Sequence, residues 1–318
     1  MLRSMSSAVS GMNAFQTSLD VVGNNIANLD TTGFKSGRTE FGDILSQTLA
    51  GASAPTPSTV SGPGGTNPMQ VGLGVNIASI DTLFTQGADQ ETGVPTDVAL
   101  DGSGFFMVSP AATSSTPTIG GYSTTPVNTS PVYYTRAGNF TVDASGNLVL
   151  PDGSKLLGYL STAYPTTPPS PSQLSAVNVS VPSSTGSPVP GSFTIAGDGS
   201  VTVTNPTTGQ SVKWIVPLAN FNNPEGLQKS GSNLYQATAN SGTLPATSVS
   251  APNGAFMGQA GTNGLAAFRP GALEASNVNL TNEFTSMIVA QQGFDANSKV
   301  INTDNNILAT VQNLMQQA

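Results

Sequence analysis

The last forty residues, Asn279 to Ala318, constrain this chain most. Leu280, Met287, Phe294, Ile301, Leu308 and Met315 recur at steps of seven, with no Pro among them and a single Gly, Gly293. An apolar step of seven held this long marks a helix with one continuous seam. At about 1.5 Å per residue it would run roughly 60 Å, longer than an ordinary globular helix. The other end of the chain carries a matching pattern. Met5, Ala8, Met12, Phe15, Leu19, Val22, Ile26 and Leu29 alternate steps of three and four without a break. Helical termini around a middle of different character predict a chain that leaves a helical unit, builds a domain and returns.

The polar face of the C-terminal stretch is Asn, Gln, Ser and Thr, with only Glu283, Asp295, Lys299 and Asp304 charged. A solvated helix usually carries alternating charges. A neutral, amide-rich face suits a helix with neighbours on several sides, and Val300, Ile307 and Leu314 form a second apolar track. The pattern therefore points to self-assembly through these helices. Two long helices packed on the β core of an ordinary α+β domain fit the same pattern.

The middle reads as β structure. Phe140 and Val142 with Leu148 and Leu150 flank Asp143–Asn147, and Phe193 and Ile195 with Val201 and Val203 flank Gly197–Ser200. Val98 and Leu100 with Phe105, Phe106 and Val108 flank Asp101–Gly104. Alternating apolar residues around turn formers predict antiparallel hairpins. Phe41, Ile44, Leu45, Thr48 and Leu49 have helical spacing and predict a short amphipathic helix.

The expected fold is α+β: long N- and C-terminal helices forming a coiled-coil-like rod domain, with a mainly antiparallel β domain between them. Residues 1–30 and 278–318 form the helical assembly domain and 31–70 a connector. Residues 71–277 form the β-rich domain, with Ser/Thr/Pro-rich insertions near 109–131 and 161–190.

Composition excludes several classes of function. Nine Lys plus Arg against seventeen Asp plus Glu give a net charge of −8. That argues against nucleic acid, which demands clustered basic charge. No apolar run is long enough to span a membrane, and the N-terminus lacks the h-region of a secretory signal. His and Cys are both absent, which removes the commonest general base, metal ligand and thiol nucleophile. No nucleotide, serine-hydrolase or Ca²⁺ motif is present. The Asp-Gly pairs lack the ligand spacing of a Ca²⁺ loop and read as turns. No catalytic residue, metal site or cofactor is expected, and a structural protein is favoured over an enzyme. A cell-surface binding module displaying the Ser/Thr/Pro loops is the remaining alternative.

Several runs resemble a known family. Ser10-Gly11-Met12, Leu19 through Asn28 (with Asn24, Asn25 and Ala27) and Thr31-Thr32-Gly33-Phe34-Lys35 resemble the N-terminal signature of bacterial flagellar rod and hook proteins. Gly271 through Leu280, including Leu273, Glu274, Ser276, Asn277 and Val278, resembles their C-terminal signature. Asp97–Phe106, Tyr134–Phe140 and Asn220–Leu227 resemble their β domain. Within the family the hook protein, of the short Gram-positive-like type, is the nearer likeness, and the distal rod protein stands next. The resemblance implies a flexible extracellular tube that transmits motor torque to the filament. It implies export by the flagellar type III apparatus, with terminal helices that are mobile in the monomer and pack on assembly. Expected partners are further copies in a helical polymer, adjoining rod and hook–filament junction proteins, the hook cap during assembly, and the export gate. Phe41 and Leu45 resemble the export signal of such subunits, or equally form the apolar face of a short packed helix.

Overall fold

A computed structural model describes residues 2–54, 65–110, 131–160, 174–182, 188–190, 192–206, 209, 211–242 and 256–316. The chain divides into two compact units, and it crosses between them four times. The first holds residues 1–27, 37–83 and 278–318; the second holds 28–36 and 84–277.

The first unit contains helices α1 (Leu2–Ala27) and α2 (Leu280–Gln316) and four strands. These are β1 (Gly37–Asp43), β2 (Gln47–Ala50), β3 (Met69–Val71) and β4 (Val75–Thr82). α2 opens on an asparagine cap. Asn279 Oδ1 accepts the backbone N–H groups of Thr281 at 3.1 Å and Asn282 at 3.2 Å, two donors with no partner inside the helix. Glu283 in the first turn suits the positive end of the helix dipole. β1 pairs antiparallel with β4, and β2 with β3. The β1–β4 ribbon packs on α1: Val75 N–H donates to Ser10 Oγ, Thr39 Oγ1 meets Ser18 Oγ, and the Phe15 and Phe41 rings stand 5.6 Å apart.

Two expectations fail in this unit. The first is the coiled-coil-like rod. The chain does have two terminal helices and a large antiparallel β region, so the α+β class fits, but the helices do not form a long coiled coil. α1 has 26 residues against 37 in α2, and α1 also covers the β1–β4 ribbon. A coiled coil buries its apolar repeat as knobs in holes. Here Leu280 and Met315 are exposed, and Met287, Phe294, Ile301 and Leu308 are only half-buried. The buried positions of α2 are Ala290 and Asp304. On α1 they are Ala8, Gly11, Ala14, Ser18, Val22 and Asn25. Met5, Met12, Phe15, Leu19 and Ile26 flank that line half-buried.

The second is the short helix around Phe41–Leu49. That stretch forms β1 and β2 with a turn between them, because pairing with β4 and β3 outweighs a local helical spacing. The expected 31–70 connector contains two paired strands and the start of a third; its residues 55–64 lie outside the described residues.

The second unit is built on one long antiparallel path of strands. In order it runs Ser192–Ile195, Ser200–Thr204, Ser211–Ile215, Lys155–Leu160, Phe105–Ser109, Tyr133–Thr135, Leu234–Gln236 and Gln228–Gly231. Strand Phe105–Ser109 is buried on both faces, so its sequence is a continuous apolar run rather than an alternation. Phe106 and Val108 enter one core with Leu100, Phe140, Leu156, Trp214 and Phe268. Phe105 and Met107 enter the other with Leu157, Leu174, Ile215, Phe221 and Tyr235.

The expected hairpins at 193–203 and 140–150 are present, with Phe193 opposite Val203, Ile195 opposite Val201 and Val142 opposite Leu148. The expected hairpin at 101–104 is not. Val98–Asp101 pairs with Ala267–Pro270, while Phe105–Ser109 pairs elsewhere. Gly102 and Gly104, both at positive φ, turn the chain from one sheet into the other. Of the expected insertions, residues 111–130, 161–173 and 183–187 lie outside the described residues. Leu174–Val179, expected within the second insertion, is buried, and Ser175–Ala176 pairs with Lys155–Leu160.

Candidate functional sites: a buried charge cluster and the outer face of the C-terminal helix

In the second unit, segment Asn28–Ser36 is threaded into the β structure. Gly33 sits at φ +68, and a Cβ there would stand 2.7 Å from the Ala137 nitrogen, so only glycine passes. Its N–H donates to the Glu274 carbonyl at 2.8 Å. Lys35 follows, fully buried. Its Nζ donates to Glu274 Oε1 at 2.5 Å and to the Thr85 carbonyl at 2.7 Å. Glu274, also fully buried, accepts the Gly87 N–H at 2.9 Å and Arg136 Nη1 at 3.4 Å. Arg136 Nη2 donates to the Gly102 carbonyl, and its guanidinium lies 5.4 Å from the centre of the Phe105 ring. Burial pulls the Lys35 ammonium below the usual lysine range, with the Glu274 carboxylate acting the other way. Burial likewise lowers Arg136, against the pull of Glu274.

More contacts tie the same segment. Asn277 Oδ1 accepts the Ser36 N–H at 2.8 Å, and Asn277 Nδ2 donates to Thr85 Oγ1 at 2.9 Å. Asn233 Nδ2 donates to the Thr32 carbonyl at 2.9 Å. Lys229 Nζ donates to the Lys35 carbonyl and lies over the Phe34 ring at 5.0 Å. Gly33, Phe34, Lys35, Glu274 and Asn277 of the two expected signatures therefore meet around one ion cluster. Leu273 and Ser276 stand half-buried beside it. One carboxylate bound by two cations, with every oxygen engaged, is a structural lock and holds no site for a substrate. From the sequence, Arg136 is picked out only within the run Tyr134–Phe140, without a site role, and Lys229 and Asn233 are not singled out. The available signal was the rarity of charge: in a chain with 8% charged residues, each cation amid apolar runs invites a buried partner.

In the first unit, the signature residue Asn25 is 1% exposed. Its side chain exchanges two hydrogen bonds with Gly37 (Nδ2 to O, 2.8 Å; N–H to Oδ1, 2.9 Å) and donates to Glu283 Oε1 at 3.1 Å. Val278 is buried, whereas Asn24 and Ala27 face outward. Phe41 is partly covered by Phe15, while Leu45 is 85% exposed. α2 leaves Phe284, Ile288, Val289, Val300, Ile307, Val311, Leu314 and Met315 exposed. Isolated apolar residues at a surface are ordinary, whereas these recur along one helix.

Family models match three parts of the chain. "Flagella basal body rod protein" matches residues 5–35, "Flagellar hook protein FlgE/F/G D1 domain" residues 120–203, and "Flagellar basal body rod FlgEFG protein C-terminal" residues 269–314. The flagellar basal-body rod protein FlgG of Bacillus subtilis is 39% identical over 99% of both chains. The protein of that name in Borreliella burgdorferi is 34% identical over the whole of both. The flagellar hook protein FlgE of Treponema pallidum is 47% identical over 162 residues, 51% of this chain and 30% of that one. The chain belongs to the flagellar basal-body rod and hook family. As such it is a structural protein of the bacterial flagellum's basal body and hook, and not an enzyme.

Proposed function

We propose that this chain is a self-assembling subunit of the flagellar rod, polymerising through its terminal helices with further copies of itself. The observation that carries this reading is the exposed apolar track of α2, on a helix whose buried positions are small or polar. A helix that turns its large apolar residues outward gains stability only when a partner covers them. Relatives named as rod proteins match along the full length, which supports rod over hook. The hook reading, a curved joint carrying motor torque to the filament, is favoured by the 45–47% identity to hook proteins across half the chain. Electron micrographs of the purified polymer decide between them: straight tubes are expected for the rod and curved tubes for the hook. Absence of any tube at high concentration overturns both.

Partners in either reading are the adjoining rod and hook–filament junction proteins, with the hook cap during growth. Export through the type III gate assigns the solvent-facing Phe41–Leu45 stretch as signal. Phe41→Ala is expected to lower secretion while leaving the β unit folded, and undiminished secretion rejects that role.

A further inference from the structure

The seven-residue repeat of α2 has a physical weakness: it nearly repeats itself. Sliding α2 by seven residues along α1, about 10.5 Å at 1.5 Å per residue, sets Met287 where Phe294 was and Ile301 where Leu308 was. The apolar flanks alone therefore admit several registers of similar stability. Four contacts in the first unit are not repeated. Ser4 Oγ donates to Asp304 Oδ2 at 2.6 Å. Gly11 lies under the Asn297 amide, where a Cβ would stand 2.6 Å from Nδ2. The Phe15 ring fills a notch at Gly293, where a Cβ would stand 2.5 Å from the ring. Asn25 Nδ2 donates to Glu283 Oε1. All four obey one antiparallel register. Passing from Ser4 to Gly11, Phe15 and Asn25 advances seven, four and ten residues, and passing from Asp304 to Asn297, Gly293 and Glu283 retreats by the same steps.

We infer that these contacts form a key: Phe15 in the Gly293 notch, Asn297 over Gly11, and the Ser4–Asp304 and Asn25–Glu283 hydrogen bonds admit one register of the terminal helices. A slip of seven in one direction sets Phe15 against Ser286, Gly11 against Ala290 and Ser4 against Asn297. In the other it sets Phe15 against Val300, Gly11 against Asp304 and Ser4 against Val311. Either slip drives the ring onto a Cβ. It also separates the Glu283 and Asp304 carboxylates from their present donors, in a place where Asp304 is 8% exposed. Buried polar groups specify register in this way wherever apolar repeats leave it open. The key also decides which α2 side chains remain outward, and only this last consequence rests on the self-assembly reading.

The absence of Cys makes the test clean. Three full-length chains carry cysteine pairs: Ser4→Cys with Asp304→Cys for the observed register, and Ser4→Cys with Asn297→Cys or with Val311→Cys for the two slips. The Phe15–Gly293 and Asn25–Glu283 contacts stay intact in all three. Mild oxidation is run where circular dichroism reports formed helices, and intrachain disulfide is read on non-reducing gels, with polymer measured separately by sedimentation. The observed-register pair is expected to exceed each slipped pair by about tenfold or more, as the remaining Asn25–Glu283 hydrogen bond and the steric notch at Gly293 require. Adding Phe15→Leu and Glu283→Leu is expected to raise a slipped pair several-fold. Gly293→Ala alone is expected to cut the observed-register pair several-fold without loss of helix. Equal trapping of all three pairs in the unmodified background overturns the inference. So does exclusive observed-register trapping after the key is removed. Failure to form polymer leaves the register result standing, so the two readings fail separately.

Discussion

Glu274 is the single carboxylate that two buried cations share, and this asymmetry predicts how the cluster fails. Glu274→Gln leaves Lys35 and Arg136 both charged and buried without a counter-ion. Breaking a buried pair in this way costs about 3–5 kcal/mol. Lys35→Met should cost less, because Glu274 keeps Arg136 at 3.4 Å and the Gly87 N–H at 2.9 Å. Trp214, the only tryptophan, is fully buried in the same unit and reports its unfolding. Urea midpoints followed by its fluorescence should rank wild type above Lys35→Met above Glu274→Gln, and the reverse order of the variants refutes the assignment. The presence of both signatures was legible from the residues themselves. Their meeting at one carboxylate was not, because Lys35, Arg136 and Glu274 are separated by more than a hundred residues at each step.

At the scale of the helices, glycine has two meanings. Gly23 in α1 has open space where a Cβ would be, whereas a Cβ on Gly11 meets the Asn297 amide at 2.6 Å. Ala is favoured over Gly in a helix interior by about 1 kcal/mol. Gly23→Ala should therefore stabilise the first unit by about that amount. Gly11→Ala gains the same propensity but must displace the Asn297 amide, so it should stabilise less. Thermal melts followed by far-UV circular dichroism should rise more for Gly23→Ala than for Gly11→Ala. An equal or larger rise for Gly11→Ala would contradict the contact with Asn297. The existence and length of both helices followed from periodicity alone. Which side of each is buried did not, because small and polar positions also recur at steps of seven and only contact chooses between the two lines.

For the whole chain, assembly and acid response can be separated from fold stability. Ile288 is 53% exposed on α2. Ile288→Asp should change monomer stability by no more than about 0.5 kcal/mol, as surface changes usually do, and yet abolish sedimentable polymer. Wild-type polymerisation of this variant removes α2 from the assembly face. Acid acts through the turns of the second unit. Burial alone would raise the Asp143 carboxyl. Hydrogen bonds from Asn147 and Ser145 outweigh it and hold the group below the usual Asp range. Asp198 is lowered in the same way by Ser200 and Lys213. A lowered carboxyl contributes stability that is present above its unfolded value, near 3.8, and lost as pH falls through its folded value. Urea midpoints should therefore fall below about pH 4, and Asp143→Asn should flatten that fall. A midpoint that stays level from pH 5 to pH 2 contradicts this.

The linear chain by itself determined the class of secondary structure and two of the three hairpins tested, because helix and strand periods and turn residues are local properties. Phe193 and Val203 find each other across the turn residues Gly197–Ser200, and no distant contact is needed to predict it. It also determined the poverty of charge and the absence of His and Cys, and with them the lack of any imidazole or thiol. Tertiary structure alone decided what the apolar repeat of α2 is for. Leu280 and Met315 point into solvent while Ala290 and Asp304 are buried, since the helix packs on α1 through its smallest positions, where two backbones approach most closely. It likewise decided that Phe41 lies on a strand, because β4 offers hydrogen bonds that the short amphipathic pattern of Phe41–Leu49 cannot outweigh. Periodicity states that a face will be covered, but the partner that covers it is set by residues far away in the chain.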